Sequence, residues 1–347
     1  IFTRDVFQKY ENIIFPKTIN ETLEPYNESG KMDLVDFGFR VLLNLTADFS
    51  GIDRPNKSKN ETETLLRLLK IFASGATLHH STRDHEEVKG EVRDALKEFD
   101  KNFLTPSIER RKAIIKQGSG EDLPNDILTV LLVNDDQLNM PYDVLQREIA
   151  FYLLAGAQTS IHSLVHVFHE IHSWLKENPE REDDIKNDPI FVQKCFLEST
   201  RLHPSSPVAL RKPVCPVQLP GNKNANEDDS VVIDLYNSNR DKKVFGSDAE
   251  KFNPDRETPN GHNLYGLSFG LGMHSCIGRN LAAGVNSKSD TDPNNHHYGT
   301  VTMIMRKLIS CNAIPDINNP PKMDEKTKRP NWGYYPITFN AKENLSE

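Results

Sequence analysis

Paired cysteines and long apolar runs are both missing from this sequence of 347 residues. The four cysteines, Cys195, Cys215, Cys276 and Cys311, lie far apart and form no C-x-x-C pair, which argues against a disulfide framework and a zinc site. No apolar stretch approaches the ~20 residues that a membrane span needs, and the opening IFTRDVFQKY is not typical of a signal peptide. We therefore expect a soluble, cytoplasmic protein that has no membrane partner.

No part of the chain concentrates charge of one sign. Lys and Arg together number 42 and Asp and Glu 50, which gives a formal net charge of -8. Because the two signs are mixed along the chain, nothing indicates a nucleic-acid partner. Apolar residues make up 37% of the sequence, which is enough for one large core or for two domains.

One stretch, Leu267–Ala283, combines several unusual features and reads LSFGLGMHSCIGRNLAA. Its glycines allow positive φ angles and a close approach to a flat group. Cys276 stands just before a helix-like run, where the helix dipole and backbone N–H groups favour a thiolate. A soft thiolate without a second cysteine at cluster spacing suits one axial bond to haem iron.

The ordinary alternative for this stretch is a glycine-rich turn that holds a buried cysteine, which is the commoner fate of an unpaired Cys. The full pattern F-x-x-G-x-x-x-C-x-G, however, arises by chance on the order of once in a thousand chains of this length. With this pattern the chain resembles the cytochrome P450 family of haem-thiolate monooxygenases. His274 makes it similar to the soluble bacterial-type members of that family.

The resemblance implies a mainly α fold with a small β region, in which a long central helix lies over the haem and a cysteine-ligand loop lies beneath it. We expect residues 1–347 to form a single haem-thiolate monooxygenase domain. Its expected parts are a helical part (about 1–212 and 277–310), a β-rich part with the meander and haem-ligand loop (about 213–276) and a polar insertion (about 285–298). The usual N-terminal portion of the family is missing from this expected arrangement.

The longest helical pattern opens at Met140 and Pro141 and runs without proline to about Leu175. At 1.5 Å per residue this is roughly 50 Å, which is long enough to cross a domain. The pattern contains AFYLLAGAQTS, in which Ala155 and Gly156 remove side chains from one face. A glycine inside a helix costs about 1 kcal/mol against alanine, so close helix packing or a ligand is the usual reason for it.

Within that helix, A-G-x-x-T resembles the family segment on the oxygen side of the haem. The resemblance implies that Ala155 and Gly156 leave room for O2 and that Thr159 hydrogen-bonds the oxygen or its water. Gln158 stands where the family usually has an acid that relays protons through water. By position in the chain alone, the candidates for the substrate wall are Phe151, Tyr152, Val208, Ala209 and Leu210.

The haem contacts implied by the resemblance concern haem b, iron protoporphyrin IX. Cys276 is the expected proximal ligand, with Phe269 packed against the haem near the sulfur. The glycines that permit the tight loop are Gly270, Gly272 and Gly278, and the residues expected at the propionates are His274 and Arg211.

An E-x-x-R pair, Glu198 and Arg201, lies on a predicted helix from Phe191 to Leu202. Such a pair is usually a solvated surface pair when it stands alone. In the family, a Glu and an Arg at this spacing pair with a later Arg, here Arg256. The resemblance therefore implies a triad that braces the underside of the cysteine loop and is structural, not catalytic.

The implied activity is insertion of one oxygen atom from O2 into an organic small molecule. Ferredoxin and ferredoxin reductase are the expected electron donors, with docking near Arg279. Two alternatives stay open: a peroxide-using or isomerising haem-thiolate enzyme, and a degenerate haem-binding protein without turnover.

Other local patterns predict a polar loop at Arg54–Glu63, a helix at Leu65–Leu78 and a strand in VVIDLY from Val231. The polar run Val285–Tyr298 contains Pro293 and interrupts the helix expected to follow Cys276, so it reads as an insertion or a mobile loop. We expect its His296-His297 pair to be exposed at the surface and not to bind a metal.

Overall fold

Helices dominate the computed structural model, which describes residues 3–56, 58–78, 81, 83–118, 123–288, 290–325, 327 and 329–340. The α-helices are α1 (Arg4–Lys9), α2 (Phe15–Leu23), α3 (Leu34–Ser50), α4 (Lys59–Ala76), α5 (His85–Phe99), α6 (Thr105–Gln117), α7 (Ile127–Val133), α8 (Asp135–Leu138), α9 (Tyr142–Glu177), α10 (Glu182–Asn187), α11 (Pro189–Leu202), α12 (Leu235–Ser238), α13 (Lys242–Phe245), α14 (Arg279–Ala283) and α15 (Thr300–Ser310). The π-helical turns Tyr10–Ile14 and Asp100–Leu104 follow α1 and α5.

The strands are short and form small antiparallel sheets. They are β1 (Lys31–Asp33), β2 (Val208–Arg211), β3 (Val217–Leu219), β4 (Lys223–Ala225), β5 (Val231–Asp234), β6 (Ile314–Pro315), β7 (Lys322–Met323), β8 (Trp332–Tyr334) and β9 (Pro336–Thr338). One sheet has the order β1-β9-β6, and the other strands pair as β2-β5, β3-β4 and β7-β8. The mainly α class with a small β region is therefore confirmed.

The chain divides into two compact units. Unit 1 comprises residues 1–162 and 310–347, and unit 2 comprises residues 163–309, so the boundary falls inside α9. The expectation that residues 1–347 form one domain stays a prediction.

In unit 1, α3 is the most deeply buried helix of the N-terminal part. The apolar positions at helical spacing in its sequence, Leu34, Phe37, Val41 and Leu45, are each at most 1% exposed, as the period predicts. Asp33 caps its first turn by accepting a hydrogen bond from the backbone N–H of Val35, and Gly51 ends it with φ 84°.

The start of α4 differs from the prediction. Residues 54–63 were expected to form a loop, but the helix begins at Lys59. Ser58 accepts a hydrogen bond from the backbone N–H of Glu61, whose side chain accepts one from the Ser58 N–H, a capping box that satisfies two N–H groups of the first turn.

In unit 2, α11 is buried along most of its length, and the predicted strand after Gly221 is confirmed as β5. Its partner is β2, with Val208 opposite Asp234 and Arg211 opposite Val231. The last two residues of VVIDLY open α12 instead, because the carboxylate of Asp234 caps that helix through the N–H of Asn237.

Helix α14 ends just before Gly284, and α15 begins just after Gly299, with the polar run between them. The backbone N–H of Val285 donates to the His297 carbonyl over 3.0 Å, and Gln193 of α11 donates to the carbonyls of Ala283 and Tyr298 over 2.8 and 3.3 Å. The interruption of the helix is confirmed.

The expectation that both histidines of this run are exposed is wrong. His297 is only 4% exposed, and His296 hydrogen-bonds the Gln193 side-chain oxygen over 2.8 Å. The physical reason is that the hydrogen bonds from Val285 and from Gln193 hold the end of the run, with both histidines, against α11.

Candidate functional site

The loop before α14 is closed by its own backbone. The N–H of Cys276 donates to the carbonyl of Phe269 over 2.7 Å, which brings the two ends of the turn together. Gly270 has φ 68°, and a Cβ atom there would lie 2.8 Å from the His274 carbonyl oxygen. Only glycine fits this position without moving the loop.

Gly272 differs from Gly270, because a Cβ atom there would meet nothing within 4 Å. Its φ of 62° nevertheless disfavours other residues.

Phe269 is half-buried and packs edge-to-face on Tyr265 with the ring centroids 5.0 Å apart. The hydroxyl of Tyr265 accepts a hydrogen bond from the Arg279 guanidinium over 3.1 Å, which ties the loop to the start of α14.

Cys276 is an exposed residue in this loop. Protein atoms nevertheless enclose much of its sulfur, and this burial raises the pKa of the thiol above its ordinary value. Hydrogen bonds from the backbone N–H groups of Gly278 and Arg279 and the positive charge of Arg279 act in the opposite direction. Desolvation outweighs these favourable contributions in the loop by itself. The expectation that Cys276 binds haem iron as a thiolate stays a prediction.

The loop that carries Cys276 also carries three exposed apolar side chains. Leu271, Met273 and Ile277 are 63%, 93% and 64% exposed. A cluster of this kind beside a cysteine marks a surface that a flat apolar group would cover. A thiolate with two aimed N–H groups, a neighbouring guanidinium and an apolar surround fits a haem group bound through sulfur.

Behind the loop, the structure brings Glu198, Arg201 and Arg256 together. The Arg201 guanidinium donates to both carboxylate oxygens of Glu198 over 2.7 and 2.8 Å, and Nε of Arg256 donates to one of them over 3.0 Å. Glu198 and Arg201 have fully buried side chains, and that of Arg256 is 3% exposed. Arg201 also donates to the carbonyls of Asn239 and Ala249 over 2.6 Å each, so its charge is compensated on every side.

Asn239, which the sequence did not single out, connects this triad to the cysteine loop. Its amide donates to the Arg201 carbonyl over 3.0 Å and to the Ser268 hydroxyl over 2.9 Å, and its oxygen accepts from the Leu267 N–H over 2.7 Å. The Ser268 hydroxyl in turn donates to the Thr200 carbonyl over 2.7 Å. The start of the loop is thereby held on the helix that carries the E-x-x-R pair.

On α9, in unit 1, Thr159 is exposed and its hydroxyl donates to the Ala155 carbonyl over 2.9 Å. A Cβ atom on Gly156 would run into the side chain of Thr46 on α3. Close packing against α3 is therefore sufficient reason for this glycine, and its predicted role in leaving room for O2 stays a prediction.

Gln158 and His162 form a pair one turn apart on the same helix, with their Nε2 atoms 3.3 Å from each other. Burial, aided by the charge of Arg329, lowers the pKa of His162 to about 4. His162 was not singled out from the sequence, although its spacing of four residues from Gln158 could have pointed to it.

The remaining predicted residues lie in less defined surroundings. Arg211 is half-buried in β2 and donates to the Leu210 carbonyl over 2.8 Å, and His274 is exposed in a short 3-10 turn. Phe151 and Leu210 are 53% and 47% exposed. The half-buried members of the suggested substrate wall are Tyr152, Val208 and Ala209.

No helix in the described part of the chain combines the length and the hydrophobicity that crossing a bilayer requires.

A profile of the family described as Cytochrome P450 matches residues 39–284. Cytochrome P450 52C1 of Candida tropicalis is 28% identical over 207 residues, which is 53% of this chain and 40% of that protein. Alkane hydroxylase MAH1 of Arabidopsis thaliana is 27% identical over 210 residues, 55% of this chain and 42% of that protein. The chain thus spans about two fifths of the length of these curated relatives.

Among solved structures, the crystal structure of CalO2 resembles this chain with a TM-score of 0.73 and 17% sequence identity. The alignment covers 97% of this chain and 75% of the CalO2 chain. At this identity the likeness concerns the fold, which agrees with the mainly helical architecture described above.

Proposed function

Because the chain belongs to the cytochrome P450 family, we propose that it is the haem-binding part of a monooxygenase that inserts one oxygen atom from O2 into an organic small molecule. The observation that carries this proposal is Cys276, an exposed residue whose thiolate is favoured by the backbone N–H groups of Gly278 and Arg279 and whose loop carries exposed apolar side chains. Proteins of this family bind haem through a cysteine thiolate. Bound haem would supply the activation of O2 and the electron-rich ligand field that favours O–O cleavage.

Different residues of this chain would bind the iron, the haem propionates and the water that delivers protons. Cys276 would ligate the iron, and the N–H groups of Gly278 and Arg279 would stabilise the negative charge on its sulfur. His274 and Arg211 would bind the haem propionates by charge-assisted hydrogen bonds. Thr159 and Gln158 would hold water for proton delivery on the oxygen side.

The substrate class and the electron donors are part of the same proposal. An apolar substrate agrees with the half-buried apolar residues Val208 and Ala209 on β2 and with a relative named as an alkane hydroxylase. Ferredoxin and ferredoxin reductase are the proposed donors, with Arg279 beside the cysteine loop as a contact. The proposed compartment is the cytoplasm.

A second candidate is a haem-thiolate enzyme that uses peroxide or isomerises its substrate. The observation that favours it is Gln158, an amide that cannot ionise where the family usually has an acid. Thr159, with its hydroxyl held by the Ala155 carbonyl, supports the oxygenase instead.

The two candidates differ in where their electrons come from. NADPH, ferredoxin and ferredoxin reductase should reduce the haem-loaded protein, and 18O2 should place one labelled atom in the product of a probe alkane such as dodecane. Turnover that needs only added hydrogen peroxide, with no label from 18O2, would support the second candidate. Haem binding with no NADPH consumption beyond that of the reductase alone, and with no turnover on added hydrogen peroxide, would support a degenerate haem-binding protein without turnover.

A further inference from the structure

Gln158 and His162 lie one turn apart on α9, both in unit 1, with their Nε2 atoms 3.3 Å from each other. A carboxamide nitrogen can only donate, so the N–H of Gln158 is the donor and Nε2 of His162 the acceptor. The imidazole therefore carries its proton on Nδ1. This hydrogen bond determines both the tautomer of His162 and the direction of the Gln158 amide.

The surroundings of His162 support a neutral imidazole. The charged groups that act on it are the guanidinium of Arg329 and the carboxylate of Asp324, both from the C-terminal part of unit 1. Burial and Arg329 disfavour the imidazolium, and Asp324 only partly offsets them. A neutral ring keeps the lone pair on Nε2 that accepts from Gln158.

The other end of the amide has no protein partner. Oε1 of Gln158 is enclosed, and among the described residues no donor reaches it. Buried acceptors in folded proteins are nearly always satisfied, and a water molecule usually serves where no side chain does. The enclosed oxygen therefore indicates a bound water at the Gln158 amide.

We propose that His162 is a positioning residue which, by accepting the amide N–H of Gln158, turns the carboxamide oxygen towards a water molecule used in proton delivery. The inference rests on the proposed function, since the water matters only if Thr159 works on the oxygen side of a haem. Gln158 orients the water by accepting one of its O–H groups. The water keeps its lone pairs and its second O–H for other partners.

The same pairing predicts what an acid at position 158 would do. In Gln158→Glu the carboxylate would face His162 and raise the pKa of the imidazole, because an opposite charge favours the protonated form. The new acid would be held in an ion pair with His162. Restoring the family's usual acid is therefore expected to give this chain little gain in proton delivery while His162 is present.

The tautomer of His162 is the first test. Nitrogen-15 NMR of histidine-labelled protein in its diamagnetic reduced carbon-monoxide complex reads both ring nitrogens, and His162→Gln assigns the signals. The proposal requires a proton on Nδ1 and an unprotonated Nε2, with the Nε2 shift changing in Gln158→Leu. A proton on Nε2 would overturn it, because the amide oxygen would then face the ring and the nitrogen would face the water.

The second test uses carbon monoxide as a probe of polarity at the iron. The C–O stretching band should shift or broaden in His162→Leu, which leaves the amide free to turn, and should stay near the native position in His162→Gln, whose oxygen can accept the same N–H. His169→Leu, two turns further along α9, is the matched control and should leave the band in place. An unshifted band in His162→Leu would contradict the proposal.

If His162→Leu does not fold, Gln158→Leu in the native His162 background provides the same infrared comparison, because it removes the water acceptor directly. An unshifted band there would also contradict the proposal. Failure of the proposed function has a different signature: the protein then forms no thiolate-type carbon-monoxide complex, and the His162 tautomer is read in the same protein without haem.

Discussion

The ionisation of single side chains in this protein depends on two opposing effects. Burial disfavours the charged form, whereas nearby charges and hydrogen bonds can favour it. At Cys276, desolvation raises the thiol pKa although two N–H groups and Arg279 favour the thiolate. A bound metal ion would remove this conflict, because coordination deprotonates a thiol outright. The same N–H groups would then face a permanent negative charge.

The half-buried imidazole of His162 should make stability depend on pH. Its pKa is about 4 in the folded chain, below the ordinary value of 6.5, so between these values the unfolded chain binds a proton that the folded chain does not. The free energy of unfolding should therefore rise with pH across that window and fall as pH drops through it, by about 3 kcal/mol in total.

Urea unfolding at about pH 5 and about pH 7 measures this difference, and His162→Gln should reduce it while keeping the hydrogen bond from Gln158. His85, exposed at the start of α5, provides the control variant His85→Gln, which should leave the pH dependence as it is in the native protein. An equal pH dependence in His162→Gln would show that His162 titrates normally in the folded chain.

Thr159 is expected to control coupling, which is the amount of product formed per NADPH consumed. In Thr159→Ala the ratio of product to NADPH consumed, measured with dodecane as the probe, should fall at least about tenfold, because positioned proton transfer is typically worth 10²–10⁴-fold. Ser160→Ala, a buried neighbour on α9, should change the ratio little. Unchanged coupling in Thr159→Ala would mean that the oxygen-side assignment of A-G-x-x-T is wrong.

At the scale of elements, α11 carries the contacts that hold the cysteine loop. Arg201 on this helix binds Glu198 and three backbone carbonyls, and Asn239 passes the connection to Leu267 and Ser268. A buried ion pair with every donor satisfied gives little net stability but a defined geometry. We propose that the triad positions the loop and takes no part in the chemistry.

Glu198→Ala should leave the fully buried guanidinium of Arg201 without its carboxylate partner, at a cost of about 3–5 kcal/mol, whereas Arg256 keeps its pair with Asp248. We expect little soluble, haem-loaded protein from this variant, measured as haem absorbance per protein. Glu182→Ala, which removes an exposed carboxylate on α10 that pairs with Lys186, is the control and should load haem normally. A well-folded, haem-loaded Glu198→Ala with only its turnover reduced would contradict the structural role.

Gln193 should hold the polar run 285–298 against α11. Its one amide group donates to the carbonyls of Ala283 and Val285 and accepts from His296, so Gln193→Met leaves these buried groups unsatisfied at about 1–3 kcal/mol. Limited proteolysis should cut the run faster in Gln193→Met than in Lys194→Met, whose side chain is exposed. Equal cleavage rates would mean that the run is held by other contacts.

Helices with a periodic apolar pattern could be predicted from the sequence, whereas individual buried hydrogen bonds could not. The stripe of α3 and the length of α9 follow from apolar spacing and from the absence of proline. The start of α4 was also readable, since Ser58 and Glu61 have capping-box spacing. The roles of Asn239 and Gln193 depend on backbone carbonyls that are distant in sequence, and no local pattern carries that information.

On the scale of the whole molecule, the Cytochrome P450 profile covers residues 39–284, which includes most of the buried α3, the A-G-x-x-T helix and the cysteine loop. These parts occur in both units. The chain spans about two fifths of the length of Cytochrome P450 52C1 and of Alkane hydroxylase MAH1.

Removing haem should destabilise the molecule and expose its apolar loop surface. A ligand present at a hundred times its Kd stabilises the folded state by about 2.7 kcal/mol, so the extracted protein should melt several degrees lower. It should also bind an apolar dye at Leu271, Met273 and Ile277, which are already exposed around Cys276. Equal Tm values with and without haem would show that these residues are not a haem surface.

The measurement that decides most directly whether Cys276 is the haem ligand is the reduced carbon-monoxide difference spectrum of four cysteine variants. Cys276→Ser should lose the red-shifted Soret band that a thiolate ligand produces. Cys215→Ser, the other exposed cysteine, should keep it, as should the buried-site variants Cys195→Ser and Cys311→Ser. A red-shifted band that survives in Cys276→Ser would contradict the assignment of this loop and the proposed function with it.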